Sequence, residues 1–366
     1  MYFPTTDAKE IVEIVCRMER KDGDVVLILL GEKDMLDARQ MISRLNKEGI
    51  DFFGGVFPGV IYDDRKYEHG AVIKVLPALN SPYLIKGLNT EQIELPDFIH
   101  LNKKYMAMVL VDGLASNIAL FLSKLSDHLG NSVHYFGGGA GSITLKQQPC
   151  LFTREGFVQD AAIVTFIKLQ CNLGVRHGWK KLTGPIAATK TCKNVAIELN
   201  WKNAFEVYQE IVEADSGLKL LRENFYDVAM QYPFGIYKEG AEDIVRDPII
   251  VNEKDELICV GEVPENSLLN ILKGEPNYLI QAAGQAAKEA CVKETYCNLV
   301  ADCISRVLFL GEDFTKELAV VKEALAVAGN QGIPAGMLTL GEISSYGETF
   351  LEFFNKTIVV GGCYGE

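Results

Sequence analysis

One order of segments passes three times through this 366-residue chain, and any fold it adopts has to house the recurrence. An apolar run with strand character, Val25–Leu30, leads into a helical pattern over Asp34–Glu48, with Leu36, Met41 and Leu45 on one side and Gly49 as its stop. Ile50–Phe53 then enters Gly54-Gly55, and two strands, Val60–Tyr62 and Ala71–Leu76, surround a polar turn. The order returns as strand Met106–Val111, helix Ser116–Leu129 closed by Gly130, strand Val133–Phe136, the stretch Gly137-Gly138-Gly139-Ala140-Gly141-Ser142, and strands Cys150–Thr153 and Ala161–Leu169. Val25 to Gly54 spans 29 residues and Ala107 to Gly137 spans 30. The first two copies therefore read as an internal duplication over about 20–100 and 101–170, on element order and spacing rather than side-chain identity. A third copy follows later: strand Leu299–Cys303, helix Phe314–Ala328, strand Gly336–Leu340, Gly341-Glu342 in the place of the glycine pair, and strand Phe354–Val360.

Between the second and third copies the pattern changes. A turn-rich stretch, Gly178–Pro185, precedes the strand Val195–Leu199 and the helix Ala204–Val212. Short strands are expected at Val228–Gln231, Ile249–Asn252, Leu257–Glu262 and Leu268–Leu272, followed by an alanine-rich helix over Asn277–Cys291. Asp215-Ser216-Gly217 marks the boundary between two expected domains, 1–215 and 216–366. The fold class that follows is α/β (α+β), with repeated strand-helix-strand-strand units forming mixed sheets flanked by helices.

The formal net charge of −13 disfavours nucleic acid and anionic membrane surfaces as partners. No basic segment followed by an apolar run opens the chain, and no apolar run is long enough to span a bilayer, so a cytoplasmic protein is expected. Nine cysteines without a CxxC pair read as reduced thiols, most of them buried. Cys291, Cys297 and Cys303 are spaced by six, a rotation of roughly 240° on a helix, which gives them no common face for a metal. No metal and no cofactor is expected.

The glycine stretch invites a dinucleotide reading, but that fingerprint follows a first strand and opens a helix. Here it follows a second strand and precedes Thr144–Pro149, a poor helix former. No GxxxxGK[ST] and no GxSxG occurs. Two readings stay open for Gly54, Gly55, Gly137, Gly138 and Gly139: walls of a ligand pocket, or close sheet packing. Arg246-Asp247-Pro248 either clamps a loop or is a solvated turn, and Arg246 is a candidate ligand contact. Cys303 ends an apolar strand, which places Arg306 just past its C-terminal edge, where open α/β sheets bind ligands. Arg306 is expected as an anchor for an anion. Glu342 either pairs with Arg306 or faces an amino group, and Asn355 and Thr357 belong to the same unit. A cysteine–histidine pair has no local support.

These segments resemble the FIST proteins, with their N-terminal and C-terminal FIST domains. The resemblance rests on Phe136–Gly141, Gly178-Trp179, Thr183–Pro185, Thr189-Lys190, Ala204–Tyr208, Arg246–Pro248, Val263–Glu265, Asp302–Arg306, Gly341–Ile343 and Asn355–Thr357, in that order over roughly 20–360. The family usually carries a histidine near the final Asn-x-Thr, where this chain has Phe353-Phe354. The resemblance implies a cytoplasmic sensory module for small ligands, amino acids among them. Members are often fused to output domains, for which this chain has no length left, so a signalling partner protein is expected. The alternative is an enzyme acting on a small acyl or amino substrate through Cys303 or Glu342.

Overall fold

The computed structural model describes residues 1–239, 242–346 and 350–365. All three expected units are present, each as a leading strand, a helical crossover, a second strand parallel to the first, a hairpin and an antiparallel return strand. Leading and second strands are Asp24–Gly31 with Phe52–Phe57, Tyr105–Asp112 with Val133–Ala140, and Cys297–Cys303 with Pro334–Thr339. The crossovers are helix Ala38–Lys47, helix Ile118–Leu129, and, in the third unit, helices Ile304–Leu310 and Phe314–Val327. The return strands Ala71–Pro77, Ala161–Ile167 and Ile358–Tyr364 pair on the other flank of each leading strand. Leading strands lie between two neighbours and under helices, which is why they read as unbroken apolar runs.

The hairpins are exchanged in a ring. The first unit's hairpin, Gly59–Tyr62 with Arg65–Tyr67, pairs with the second strand of the third unit. The second unit's hairpin, Leu151–Thr153 with Gly156–Val158, pairs with the first unit. The third unit's hairpin, Glu342–Tyr346 with Phe350–Phe354, pairs with the second. Three six-stranded mixed sheets with the same internal order result.

The glycines sit inside the second strands rather than in turns after them. A Cβ on Gly54, Gly137 or Gly336 would lie 1.8, 1.7 and 1.7 Å from the carbonyl oxygens of Ile28, Val109 and Val300 on the neighbouring leading strands. These three residues occupy one register position of the repeat. The third member of the glycine series is therefore Gly336, and Gly341-Glu342 belongs to the start of the exchanged hairpin.

Between the second and third units the chain builds a barrel. Lys180–Cys192, Leu268–Lys273, Phe234–Ile236, Ile244–Val251, Leu257–Val260 and Val195–Leu199 pair antiparallel in that order, and the last pairs back with the first. The expected division after residue 215 falls at the end of helix Ala204–Ser216, between strands of this barrel. Two expectations are corrected here. Val228–Gln231 is not a strand, since Phe225–Ala229 is a helical turn whose Phe225 and Ala229 face the core. Gly178–Pro185 is not a turn region, since Lys180–Cys192 is the longest strand, with register shifts around Thr183 that absorb Gly184-Pro185.

Candidate functional site

A cavity of about 830 Å³ lies where the second unit, the third unit and the barrel meet. The second unit supplies Gly113–Ser116, just past the end of its leading strand, and Ile143 and Leu145 beyond its glycine stretch. Cys303–Ser305, at the corresponding end of the third unit's leading strand, form another wall with Leu308, Phe353 and Asn355. The barrel contributes Arg246, Asp247, Ile250 and Cys259–Glu262. Ile143, Leu145, Tyr226, Ile250 and Leu308 are exposed large apolar side chains, so they give the cavity an apolar rim around a polar floor.

Arg246 is the buried cation of that floor; Lys193, which donates to Asn117 Oδ1 at 3.2 Å, is a second, exposed cation in the lining. Arg246 is 7% exposed. Its Nε donates to Glu262 O at 2.8 Å, and Nη1 donates to Val245 O at 2.9 Å and Phe353 O at 3.1 Å. Asn355 Oδ1 lies 3.5 Å from Nη1. Among the described residues no carboxylate comes within 4.0 Å of the guanidinium, and Nη2 makes no hydrogen bond. Burial pushes its pKa down from the usual arginine range. Gly261, at φ +81°, makes the fit possible, because a Cβ there would stand 2.8 Å from Asn355 Oδ1 and 3.0 Å from Arg246 Cδ.

Asp247 lies beside it, 2% exposed. One of its oxygens pairs with Lys356 Nζ at 3.0 Å, while Oδ1 is buried without a hydrogen-bond partner. Burial pushes its carboxyl pKa up, against the pull of Lys356. Lys356 is itself buried and occupies the left-handed region at φ +52° between Asn355 and Thr357. A non-glycine residue held there costs free energy and marks a turn fixed by its surroundings.

Behind this floor is a thiol–carboxyl pair. Cys303 is 2% exposed and lines the cavity, with the Glu342 carboxyl in the layer behind it. Thr339 Oγ1 donates to Glu342 Oε1 at 2.5 Å, and Thr357 N donates to Oε2 at 3.3 Å. Burial pushes Glu342 up to about 8 despite those donors. The Cys303 thiol is held well above its ordinary range by burial and by Glu342.

A carboxyl whose pKa is higher folded than unfolded stabilises the fold fully below its unfolded value, and that contribution is lost as pH rises through the folded value. For Glu342 the window runs from 4.5 to about 8. Within it, stability should fall by about 1.4 kcal/mol per pH unit from this group. Glu342→Gln should remove that slope, so the variant gains on the native chain between pH 5 and 7 in urea denaturation. Identical slopes in the two proteins would refute the assignment.

The expectations for the site divide into three groups. Arg246, Cys303 and Asn355 line the cavity. Glu342 and Thr357 stand one layer behind Cys303. Gly54, Gly55, Gly137, Gly138 and Gly139 are not among the lining residues. Gly139 sits just behind the wall: a Cβ on it would lie 2.8 Å from Gly113 Cα and 3.2 Å from Leu340 O.

Arg306 is no anion anchor. It is fully buried, and all five of its N–H groups are committed: to Glu317 Oε1 at 3.0 Å and Oε2 at 2.6 Å, to Leu279 O and Lys356 O at 3.1 Å each, and to His177 O. Its pairing is with Glu317 and Asp302 rather than Glu342. Asp247, Lys356, Ser305 and Gly261 complete the site; Asp247, Ser305 and Lys356 each adjoin a residue singled out in the sequence, whereas Gly261 had no such neighbour.

Among the described residues no cluster of three His, Cys, Asp or Glu side chains is placed to hold a metal ion, and no helix is long and apolar enough to cross a membrane. Cys16 and Cys192 are exposed, whereas Cys150, Cys171, Cys259, Cys297, Cys303 and Cys363 are buried; all are free thiols. Family profiles match two consecutive segments: the FIST N domain over residues 24–202 and the FIST C domain over residues 204–345. No curated protein matches the chain in sequence.

Proposed function

The chain belongs to the FIST family, whose domains are regarded as small-ligand sensory domains in signalling, and from that premise we propose that its cavity binds a small carboxylate, amino acids among the candidates. The observation that carries the reading is Arg246, a buried guanidinium that lines the cavity, lacks a carboxylate partner and keeps Nη2 unused. A buried charge met at hydrogen-bond distance only by neutral groups is costly, with Glu352 and Glu262 acting on it only from farther off, and a ligand carboxylate accepting from Nη2 would relieve that cost. The apolar rim suits the body of the ligand. Free thiols fit a reducing, cytoplasmic setting. Occupancy would be passed on to a signalling partner protein.

A thermal-shift screen with amino acids and other small carboxylates tests this. A site filled at 100 times its dissociation constant adds about 2.7 kcal/mol of stability. Arg246→Gln should abolish the shift while still unfolding cooperatively. The absence of a shift with any carboxylate in the native chain would count against the reading.

A further inference from the structure

Part of the cavity wall is the start of helix Ile118–Leu129, where Ser116, Ile118 and Ala119 are lining residues. Asn117 is the N-cap, a residue whose side-chain oxygen ordinarily accepts from an N–H group of the first turn. Here it makes no such bond. Its Nδ2 donates to Leu88 O at 3.0 Å and Thr90 O at 3.1 Å, which fixes the amide, and its Oδ1 accepts from Lys193 Nζ at 3.2 Å. Among the described residues the N–H groups of Ile118, Ala119 and Leu120 meet no acceptor. An ammonium thus stands at the positive end of a helix dipole, where a cation is unfavourable. No carboxylate among the described residues lies within 4.0 Å of it. Lys193 is also held in the left-handed region, at φ +52°.

One peptide unit ties this lysine to Arg246. Glu262 O accepts from Arg246 Nε at 2.8 Å, and Val263 N, across the same peptide bond, donates to Lys193 O at 2.9 Å. The two cations are therefore fixed from either side of the Glu262–Val263 peptide. Of the carboxylates in the lining, Asp247 is paired with Lys356, and Glu262 comes within 4.0 Å of neither cation.

We propose that the cavity takes a small molecule with two anionic groups: a carboxylate on Arg246 Nη2, and a second group, carboxylate or phosphate, on Lys193 Nζ and the free N–H groups of Ile118 and Ala119. The first half rests on the reading of Arg246 above; the second stands on Lys193 and the helix. A guanidinium more than nine-tenths buried and an uncapped helix start present unused donors to one cavity. In a chain of net charge −13, no carboxylate among the described residues has been placed on either. An anion at the helix start would supply the missing cap and offset the repulsion between the ammonium and the dipole. Lys193 would exchange a neutral amide oxygen for a charged acceptor, a hydrogen bond roughly twice as strong. A ligand with a single carboxylate satisfies Arg246 and leaves this second set unanswered.

The test titrates glutarate, 2-carboxyethylphosphonate and, as the singly charged control, valerate into the full chain and into Lys193→Gln and Arg246→Gln by calorimetry. The native chain should bind at least one of the doubly anionic compounds about tenfold or more tighter than valerate. Lys193→Gln should remove that preference and leave valerate unchanged, whereas Arg246→Gln should weaken all three. The tighter of glutarate and the phosphonate decides between carboxylate and phosphate at the helix. Lys193 is exposed, so its substitution should leave folding intact. Should that variant fold poorly, salt dependence in the native chain decides instead: affinity for the doubly anionic compounds should fall more steeply with ionic strength than affinity for valerate. Failure of both doubly anionic compounds to bind more tightly than valerate, or a preference that survives Lys193→Gln, would overturn the second anion site. If valerate binding is still lost in Arg246→Gln, the single-carboxylate reading then stands by itself. Binding that is lost in Lys193→Gln and kept in Arg246→Gln would overturn that reading and the proposed pairing of the two cations with it.

Discussion

Arg306→Met is expected to destabilise the chain by about 3–5 kcal/mol, the cost of breaking a buried ion pair from one side. The side chain is fully buried, as are Asp302 and Glu317. Removing the guanidinium strands both carboxyl groups without a cation and leaves the carbonyls of His177, Leu279 and Lys356 without their donor. Methionine fills similar space and cannot answer any of these groups. The consequence reaches the cavity through Lys356, whose carbonyl Arg306 holds and whose neighbour Asn355 stands beside Arg246. Arg306 therefore acts as a brace under the floor of the site. Equilibrium urea denaturation checks the magnitude; a loss under 1 kcal/mol would mean that the pair is better solvated than its geometry implies.

Gly137→Ala should cost about 3 kcal/mol, the upper end of overpacking penalties, and Gly54→Ala and Gly336→Ala should cost similar amounts. The added methyl would meet a backbone carbonyl 1.7 Å away in the neighbouring leading strand, and backbone at the centre of a sheet has little room to retreat. The roughly 0.4–1 kcal/mol gained by stiffening the unfolded chain does not offset this. Gly284→Ala is the control. It lies within helix Pro276–Ala290 and would meet Cγ1 of Val320 at 2.6 Å, a side chain on a neighbouring helix that can shift where a strand carbonyl cannot, so it should cost clearly less than the strand variants. Parallel thermal denaturation of the four variants separates the cases. If the three strand positions behave like Gly284, the close approach of the strands is not what selects glycine there.

The units themselves were legible because helical periodicity and unbroken apolar strands are local signals. Gly130 ends the helix before the glycine strand, as its position suggested. The hairpin exchange was not legible. Pairing Leu151 with Gly55, or Glu342 with Gly138, joins residues far apart in the chain, and nothing in either segment names its partner. The barrel stayed hidden because Gly184-Pro185 carries a turn signature inside a strand whose irregular register absorbs it. The two arginines show the same limit at the site. Arg246 and Arg306 each follow or precede an aspartate closely, and sequence alone favoured Arg306, past the end of an apolar strand, as the anchor. Glu317, eleven residues beyond Arg306, and three distant carbonyls decide that Arg306 is consumed internally. Arg246, met only by carbonyls and an amide, remains available.

The central claim is that Arg246 holds a carboxylate in the cavity. Isothermal titration of the native chain and of Arg246→Gln with the small carboxylate that gives the largest thermal shift tests it most directly. The account predicts one site per chain in the native protein and at least a hundredfold weaker binding in the variant, the equivalent of about 2.7 kcal/mol. Equal affinity in the two proteins would contradict it.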